Sequence, residues 1–307
     1  MLSFQNLLSV NELSRADVDV ILKRATQFHE TSHQISEVAK GKILASLFFE
    51  PSTRTRFSFE AAMYRLGGHV VTMESSLASS IQKGETLSDM GRIMSGYCDI
   101  VTMRHAIPYS IKEFAQHATV PVINAGDGPN QHPSQSLLDA YTIKFFQKKI
   151  DHLTIGFVGD LKFGRTVNSL MQLLSLFSGI TFYCISHPTL RVSPDLVATL
   201  KNSGHTVIEM DNMNDLLPEL DVVYMTRVQK ERFVNEKEYL EVKDHFLLTP
   251  ESLVGCKSTL SILHPLPRVN EISPALDAHP AAHFFDQAKF GLFVRMALIS
   301  EMLKLEK

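Results

Sequence analysis

The residues whose types and spacing most clearly suggest chemistry lie in one short run, Glu50-Pro-Ser-Thr-Arg-Thr-Arg56. The run follows an apolar segment, 42–49, that is typical of a buried strand, and it leads into a segment with helical periodicity. Ser52 and Thr53 suit the N-cap of that helix, so main-chain N–H groups without intrahelical partners should face outward beside them. Those donors, the helix dipole and the two arginines favour binding of a doubly charged anion such as phosphate. The alternative is a capped surface helix whose arginines are solvated or paired with carboxylates.

Further cationic and polar side chains follow other segments that the pattern predicts to be strands. They are Arg104 and His105, then Gln131, His132 and Gln135, then Lys162 and Arg165, then Arg227 and Gln229, and finally the run His264-Pro-Leu-Pro-Arg268. In open parallel sheets ligands bind outside the carboxyl ends of the strands, so these residues are the first candidates for a site. Two anions, or one anion with several groups, would explain so many cations. His132 is equally well explained as a histidine buried in the core without a function. Any one of the arginines alone could be an ordinary surface residue.

The elements that must position these residues alternate between strand and helix along the chain. Short apolar runs separated by helical segments extend over residues 42–146, and the same pattern starts again over 153–226. This alternation predicts an α/β fold with two doubly wound parallel-sheet domains joined by interdomain helices. We place the boundary at the polar turn 147–149, which gives domains 1–150 and 151–286. The C-terminal helix, 287–307, is expected to pack back on the first domain.

Length, composition and charge narrow the class of protein. The chain has 307 residues, of which 44% are hydrophobic and 21% are charged, and its net charge is −3. These values are typical of soluble globular proteins, and the charge argues against nucleic acid or an anionic membrane as a partner. The three cysteines form no metal or redox spacing, which favours a reducing, cytoplasmic setting. The sequence shows no signal peptide and no apolar run near the roughly 20 residues that span a bilayer.

Two doubly wound domains invite comparison with nicotinamide-dependent enzymes, but the glycine spacing argues against it. The first strand of the second domain leads to Gly159 and Gly164, which do not form a Gly-x-Gly-x-x-Gly pattern. The next strand ends in Ser186 and His187, where a dinucleotide site needs an acid for the ribose. We therefore expect no nicotinamide cofactor.

Five motifs, in the same order along the chain, resemble those of the aspartate carbamoyltransferase family. They are Phe49-Glu-Pro-Ser-Thr-Arg-Thr-Arg56, Gln131-His-Pro-Ser-Gln135, Gly159-Asp-Leu-Lys-Phe-Gly-Arg165, Thr226-Arg-Val-Gln-Lys-Glu-Arg232 and His264-Pro-Leu-Pro-Arg268. The resemblance runs from the first helix to the last. It implies transfer of the carbamoyl group of carbamoyl phosphate to L-aspartate, which gives N-carbamoyl-L-aspartate and phosphate in the committed step of pyrimidine synthesis. It implies neither a metal nor an organic cofactor.

The resemblance also implies a role for each residue of the donor site. The turn Ser52–Thr55 would hold the phosphate of carbamoyl phosphate, with Arg54 as its cation. Thr55, Arg104 and His132 would donate to the carbonyl oxygen of the carbamoyl group. Attack by an amine places negative charge on that oxygen, and preset donors stabilise the charge as it forms.

Other residues would bind the amide group of the donor and the acceptor amino acid. Gln135 and the main chain of Leu266 and Pro267 would hold the carbamoyl NH2. Arg165 and Arg227 match the family positions that bind the two carboxylates of aspartate, and guanidinium forks suit carboxylates. Gln229 would support them. Because no side chain resembles a covalent nucleophile, we expect direct attack by the neutral α-amino group.

The polar loop 75–84 contains Ser79 and Lys83 and is a candidate lid. In the family this loop enters the active site of the neighbouring subunit, so Ser79 and Lys83 would complete that site and Lys83 would contact aspartate. The resemblance therefore implies a homotrimer with shared active sites. It leaves open a dodecamer with separate zinc-containing regulatory chains, or association with dihydroorotase.

Two alternatives stay open on the sequence. Ornithine carbamoyltransferases share the Ser-Thr-Arg-Thr-Arg turn, but they carry a cysteine in a His-Cys-Leu-Pro motif, where this chain has Pro265. A non-catalytic anion sensor would keep the Ser52–Thr55 turn without needing the full set of other motifs. Phosphate release in the presence of both substrates discriminates between an enzyme and a sensor.

Overall fold

The chain divides into two compact units, and the computed structural model describes residues 2–32, 36–74, 84–230, 233 and 235–305. Unit 1 comprises residues 1–138 and 289–307, and unit 2 comprises residues 139–288. Two long helices cross from one unit to the other along the chain: α5 (Pro133–Gln147) and α9 (Phe284–Met302).

Unit 1 is built on a parallel sheet whose described strands have the order β2-β1-β3-β4. The strands are β1 (Ile43–Phe48), β2 (His69–Met73), β3 (Ile100–His105) and β4 (Val122–Asp127). The helices are α1 (Arg15–Glu30), α2 (Thr53–Arg65), α3 (Leu87–Met94) and α4 (Ser110–His117), with the adjoining parts of α5 and α9. β1, β3 and β4 are almost wholly buried, as expected for parallel strands covered on both faces, whereas the edge strand β2 is largely exposed.

Unit 2 repeats the architecture with a sheet of described strands in the order β7-β6-β5-β8-β9, all parallel. The strands are β5 (Thr154–Val158), β6 (Thr181–Ile185), β7 (Thr206–Met210), β8 (Val222–Met225) and β9 (Ser261–Leu263). The helices that lie wholly in this unit are α6 (Arg165–Leu174), α7 (Pro194–Asn202) and α8 (Glu236–Val242). A core cluster that includes Val158, Ile185, Val223 and Phe284 packs against one side of this sheet.

Each sheet has one point at which the order of its strands reverses. In unit 1 the chain leaves β1 toward β2 on one side and later adds β3 on the other, so the reversal lies between β1 and β3. In unit 2 the equivalent point lies between β5 and β8. Ligands of open α/β sheets bind at such points, outside the carboxyl ends of the strands.

The predicted α/β fold with two parallel sheets is confirmed, and the differences are local. The sequence did not suggest α8, and it implied a strand before His264 without giving the bounds of β9; these elements are short, at seven and three residues. The last helix begins at Phe284, three residues earlier than expected. Within the described ranges, no helix has both the length and the apolar character needed to cross a membrane.

Candidate active site

The turn after β1 presents the start of α2 as a set of main-chain donors. Ser52 occupies the N-cap position with extended backbone, but its hydroxyl makes no capping hydrogen bond to the helix, contrary to what its residue type suggested. The first intrahelical bond of the turn runs from the N–H of Arg56 to the carbonyl of Ser52. The N–H groups of Thr53, Arg54 and Thr55 therefore precede the helical ladder and are suited to an anion.

The two arginines of this turn have different surroundings. Arg54 is exposed at the first turn of α2. Arg56 forms ion pairs with Glu60 and Glu74, and its guanidinium lies over the ring of Phe57. Arg56 is thus paired with carboxylates, as one interpretation of the sequence predicted. Arg54, which is exposed at the same turn, is the better candidate to bind an anion.

Arg104 lies at the end of β3, directly beside the end of β1. Its register partner is Phe48, and its carbonyl accepts a hydrogen bond from the N–H of Phe49 at 2.9 Å. The side chain is buried, with Nε 3.0 Å from Oε2 of Glu50. Burial lowers the pKa of Arg104 and the charge of Glu50 opposes that shift. The result is a buried cation, held by a carboxylate, at the reversal point of the sheet.

His132 and Gln135 lie at the start of α5, after β4. His132 is buried, and its carbonyl accepts the N–H groups of Gln135 and Ser136 at 3.0 and 3.2 Å. The hydroxyl of Ser134 lies 3.5 Å from Nδ1 of the imidazole. β4 is the neighbour of β3 in the sheet. The structure therefore brings the starts of α2 and α5 and the end of β3 to the carboxyl ends of three adjacent strands.

Asp127 organises this edge of the sheet, although it was not among the residues predicted from the sequence. Its buried carboxylate accepts hydrogen bonds from the N–H groups of Tyr109 and Gln131 at 3.0 Å each, and from the side-chain amides of Asn124 and Asn130. These bonds join the loops that follow β3 and β4. An Asp followed by Gly at the end of a predicted strand is a turn signal that could have identified it.

In unit 2, Asp160 joins the loops that follow β5 and β8. Its carboxylate accepts the N–H of Phe163 at 2.9 Å, and its own N–H donates to the hydroxyl of Thr226 at 3.0 Å. Burial raises the pKa of Asp160, while main-chain donors and the charge of Arg227 act in the opposite direction. The side-chain amide of Gln229 donates to the carbonyl of Phe163 at 3.1 Å, so Gln229 also links these two loops.

Arg165 and Arg227 follow the neighbouring strands β5 and β8. Arg165 is the first residue of α6, and Gly164 precedes it because a Cβ at that position would lie 2.4 Å from the carbonyl oxygen of Asp160. Arg227 follows β8 by two residues, and both arginines are half-buried. The structure thus places Arg165 at the start of α6 and Arg227 on the loop after β8, both at the reversal point of the second sheet.

The loop after β9 is closed by its own hydrogen bonds. His264 Nε2 lies 2.7 Å from Glu271 Oε1, and both side chains are buried. The peptide bond between Leu266 and Pro267 is cis, and Leu266 has a φ of 55°. The bond between His264 and Glu271 closes the turn that carries Leu266 and Pro267.

Two predicted residues, Ser79 and Lys83, lie outside the described residues. Within the described ranges, no group of three or more His, Cys, Asp or Glu side chains could hold a metal ion.

Comparisons with known proteins identify the family of the chain. Residues 5–145 match the model of the aspartate/ornithine carbamoyltransferase carbamoyl-P binding domain, and residues 151–302 match that of the Asp/Orn binding domain. The aspartate carbamoyltransferase catalytic subunit of Archaeoglobus fulgidus is 44% identical over 97% of this chain and 99% of its own length.

Solved structures give the same result. The catalytic subunit of M. jannaschii aspartate transcarbamoylase is 43% identical, with a TM-score of 0.92 and coverage of 98% of both chains. Aspartate transcarbamoylase from Trypanosoma cruzi, in complex with carbamoyl phosphate and aspartate, is 35% identical, with a TM-score of 0.90 and coverage of 96% of this chain and 95% of that one. The chain belongs to the aspartate/ornithine carbamoyltransferase family.

Proposed function

We propose that this chain transfers the carbamoyl group of carbamoyl phosphate to the α-amino group of L-aspartate, which gives N-carbamoyl-L-aspartate and phosphate. This is the committed step of pyrimidine synthesis. The observation that carries the proposal is the set of cations and donors at the carboxyl ends of β1, β3 and β4, together with two arginines on the loops after β5 and β8. Relatives named aspartate carbamoyltransferase, similar over nearly the whole chain, support it.

The donor site uses the turn after β1. The hydroxyls of Ser52 and Thr53, the first N–H groups of α2 and the guanidinium of Arg54 bind the phosphate of carbamoyl phosphate. Thr55, Arg104 and His132 donate to the carbonyl oxygen of the carbamoyl group. Gln135 and the main-chain carbonyls of Leu266 and Pro267 accept from its NH2.

Catalysis follows from where charge develops. The neutral amine of aspartate attacks the carbamoyl carbon, and the carbonyl oxygen becomes an oxyanion in a tetrahedral intermediate. The donors from Thr55, Arg104 and His132 stabilise this oxyanion more strongly than the ground-state carbonyl. The intermediate then collapses, the C–O bond to phosphate breaks, and the phosphate leaves against Arg54. The ammonium proton passes to the departing phosphate.

The acceptor site selects a dicarboxylic amino acid. Arg165 and Arg227 bind the two carboxylates of aspartate, and Gln229 supports them from the same loops. Ornithine carries a cationic side chain, which two guanidinium groups repel. Pro265 stands where ornithine carbamoyltransferases carry the cysteine of their His-Cys-Leu-Pro motif, and this also favours aspartate.

The assembly that fits this site is a cytoplasmic homotrimer. Ser79 and Lys83 of one subunit complete the site of the next, and Lys83 contacts aspartate. Separate zinc-containing regulatory chains, in a dodecamer, are the alternative assembly. The sedimentation velocity of the purified chain, alone and in cell extract, separates the two.

The test is release of phosphate from carbamoyl phosphate with L-aspartate or L-ornithine as acceptor. We expect turnover with L-aspartate only. Arg54→Ala should lower kcat/KM by about a hundredfold or more, because the phosphate loses its cation. Arg65→Ala removes an exposed arginine from the other end of the same helix and serves as the matched control. Equal rates with both amino acids, or an Arg54→Ala variant as active as its control, would contradict the proposal.

A further inference from the structure

The loop that carries Leu266 and Pro267 is held by a buried histidine, His264. Only 1% of the surface of His264 is exposed, and its two ring nitrogens have different partners. The N–H of Leu266 donates to Nδ1 at 2.8 Å. Nε2 lies 2.7 Å from the carboxylate of Glu271.

These two contacts fix the tautomer of the imidazole. Because a main-chain N–H donates to Nδ1, that nitrogen must be unprotonated, so the ring proton is on Nε2 and donates to Glu271. A proton on Nδ1 would meet the Leu266 N–H and break the bond. His264 thus works as a neutral bridge between a carboxylate and the turn.

Glu271 closes the turn from its other end. Its carboxylate also accepts the N–H groups of Val269 and Asn270, at 3.2 and 3.0 Å. Burial alone would raise the pKa of this carboxyl group, but the hydrogen bond from His264 and those from main-chain N–H groups bring the pKa below its ordinary value. The charge on Glu271 is therefore maintained by the same bonds that define the loop.

The main chain of His264 is anchored by a second buried network. Its N–H donates to Oε1 of Gln287 at 2.8 Å, and the amide of Gln287 donates to Asp139 at 2.6 Å. The other oxygen of Asp139 accepts the hydroxyl of Tyr224 at 2.7 Å. The main chain of His264 is therefore held in place within unit 2. Its imidazole in turn holds the N–H of Leu266 in the turn.

Leu266 depends on this support because of its own backbone. Its φ of 55° lies in the left-handed region, which residues with a Cβ rarely adopt and which persists when surrounding bonds impose it. The bond from its N–H to His264 is such a bond. The directions of the carbonyl groups of Leu266 and Pro267 follow from it.

We propose that His264 and Glu271 are a positioning pair that fixes the directions of the carbonyls of Leu266 and Pro267, the groups assigned above to the NH2 of the carbamoyl donor, an inference that rests on the proposed function. Both side chains are buried, and their hydrogen bonds hold the turn, so they are positioning residues. The pair confers selectivity for a donor with an amide N–H over one of the same shape without it. Acetyl phosphate is such a donor, because a methyl group replaces the NH2.

Two substitutions of His264 separate its two contacts. His264→Gln places an amide near the position of Nε2 and removes the acceptor for the Leu266 N–H. His264→Asn places an oxygen near the position of Nδ1 and keeps that acceptor, while it loses the contact with Glu271. The control is Asp277→Asn, which breaks the exposed ion pair of Arg268 in the same loop.

The measurement is the dissociation constant of carbamoyl phosphate and of acetyl phosphate for the full chain, by titration calorimetry. His264→Gln should raise the dissociation constant of carbamoyl phosphate about tenfold, as expected for the loss of one or two hydrogen bonds. The dissociation constant of acetyl phosphate should not change. Asp277→Asn should keep the wild-type preference, and His264→Asn, which keeps the acceptor for Leu266 but loses the contact with Glu271, should show a smaller loss than His264→Gln. Where His264→Gln does not fold, Glu271→Gln, which removes the charge that holds the imidazole, should lower the same preference.

The outcomes separate this inference from the proposed function. A His264→Gln variant that loses affinity for both donors equally, or for neither, would overturn the inference while an active wild-type protein leaves the proposed function in place. A wild-type protein that releases no phosphate from carbamoyl phosphate and L-aspartate would overturn both.

Discussion

The guanidinium of Arg104 and the carboxylate of Glu50 form an ion pair at the carboxyl ends of β3 and β1, with Nε and Oε2 3.0 Å apart. Arg104 is buried, and removal of its carboxylate partner would leave a buried charge without that compensation. The pair therefore fixes the direction of a group that must meet a developing oxyanion. Such preset direction is what makes an electrostatic contribution to catalysis large.

Glu50→Gln tests that pair. The substitution keeps the shape of the side chain and removes its charge, so Arg104 is held less firmly, and we expect kcat/KM for carbamoyl phosphate to fall about tenfold. Steady-state kinetics at saturating L-aspartate measure it. Glu113→Gln, at an exposed position of α4, is the control and should leave kcat/KM unchanged. A Glu50→Gln enzyme with unchanged kcat/KM would contradict this role for the ion pair. A raised kcat/KM would show that the carboxylate competes with the substrate for Arg104.

Asp160→Asn tests the link between the loops after β5 and β8. One oxygen of the carboxylate accepts the N–H of Phe163 at 2.9 Å and the other accepts the N–H of Gln229 at 3.5 Å. An amide has only one oxygen to accept these bonds, so the loops after β5 and β8 should be held together less firmly. We expect the KM for L-aspartate to rise about tenfold and the affinity for inorganic phosphate to stay the same. Asp195→Asn, exposed in α7, is the control. A parallel loss of phosphate affinity would indicate general unfolding rather than a defect of the acceptor site.

The cysteines should not take part in the reaction. Burial raises the pKa of Cys98 to about 11 and that of Cys184 to about 12, so almost no thiolate forms at either near pH 8. Cys256 is less buried, and burial raises its pKa too. We expect iodoacetamide at pH 8 to label Cys256 first, without loss of carbamoyl transfer, as measured by peptide mapping beside activity. Inactivation in step with labelling of Cys98 or Cys184 would contradict this.

Asp17 predicts a pH dependence of stability. Its buried carboxylate accepts bonds from the main-chain N–H and the hydroxyl of both Ser3 and Ser14. Burial raises its pKa, but these bonds outweigh that effect and hold the pKa below its ordinary value. The stabilisation of the folded state by ionised Asp17 is therefore complete at pH values above the ordinary pKa of an aspartate, about 3.9. It is lost as the pH falls through the lower pKa that Asp17 has in the folded state.

The variant that tests this is Asp17→Asn. At pH 7 it should lower the free energy of unfolding by about 2 kcal/mol, the range for hydrogen bonds to a charged group. Urea unfolding of wild type and variant at several pH values measures the difference, which should be constant down to about pH 5 and shrink below about pH 4. A difference that grows as the pH falls would contradict the account.

The sequence predicted what depends on local pattern. Alternating apolar runs and helical segments indicate parallel α/β units because each strand buries both faces and each crossover needs a helix. The position of Arg104 at a strand end, and of Arg165 at a helix start, follows from the same pattern. The helix α8 was not predicted, and the bounds of β9 were not given, because runs of seven and three residues carry too little periodicity.

What the sequence did not predict depends on contacts far apart in the chain. Asp127 was missed because its partners include the N–H of Tyr109, 18 residues away. The pairing of Arg56 with Glu74 is set by the return of the chain through β2, which no local pattern encodes. The residue type of Ser52 predicted that its hydroxyl would cap α2. In the folded turn Ser52 occupies the N-cap position, but its hydroxyl makes no such bond.

The most direct test of the central claim is identification of the product. Purified protein incubated with carbamoyl phosphate labelled with ¹³C at its carbonyl carbon and with L-aspartate should form labelled N-carbamoyl-L-aspartate, detected by mass spectrometry. The account predicts one labelled product and an equal amount of phosphate. Labelled product with L-ornithine instead, or phosphate release without any carbamoylated amino acid, would contradict it.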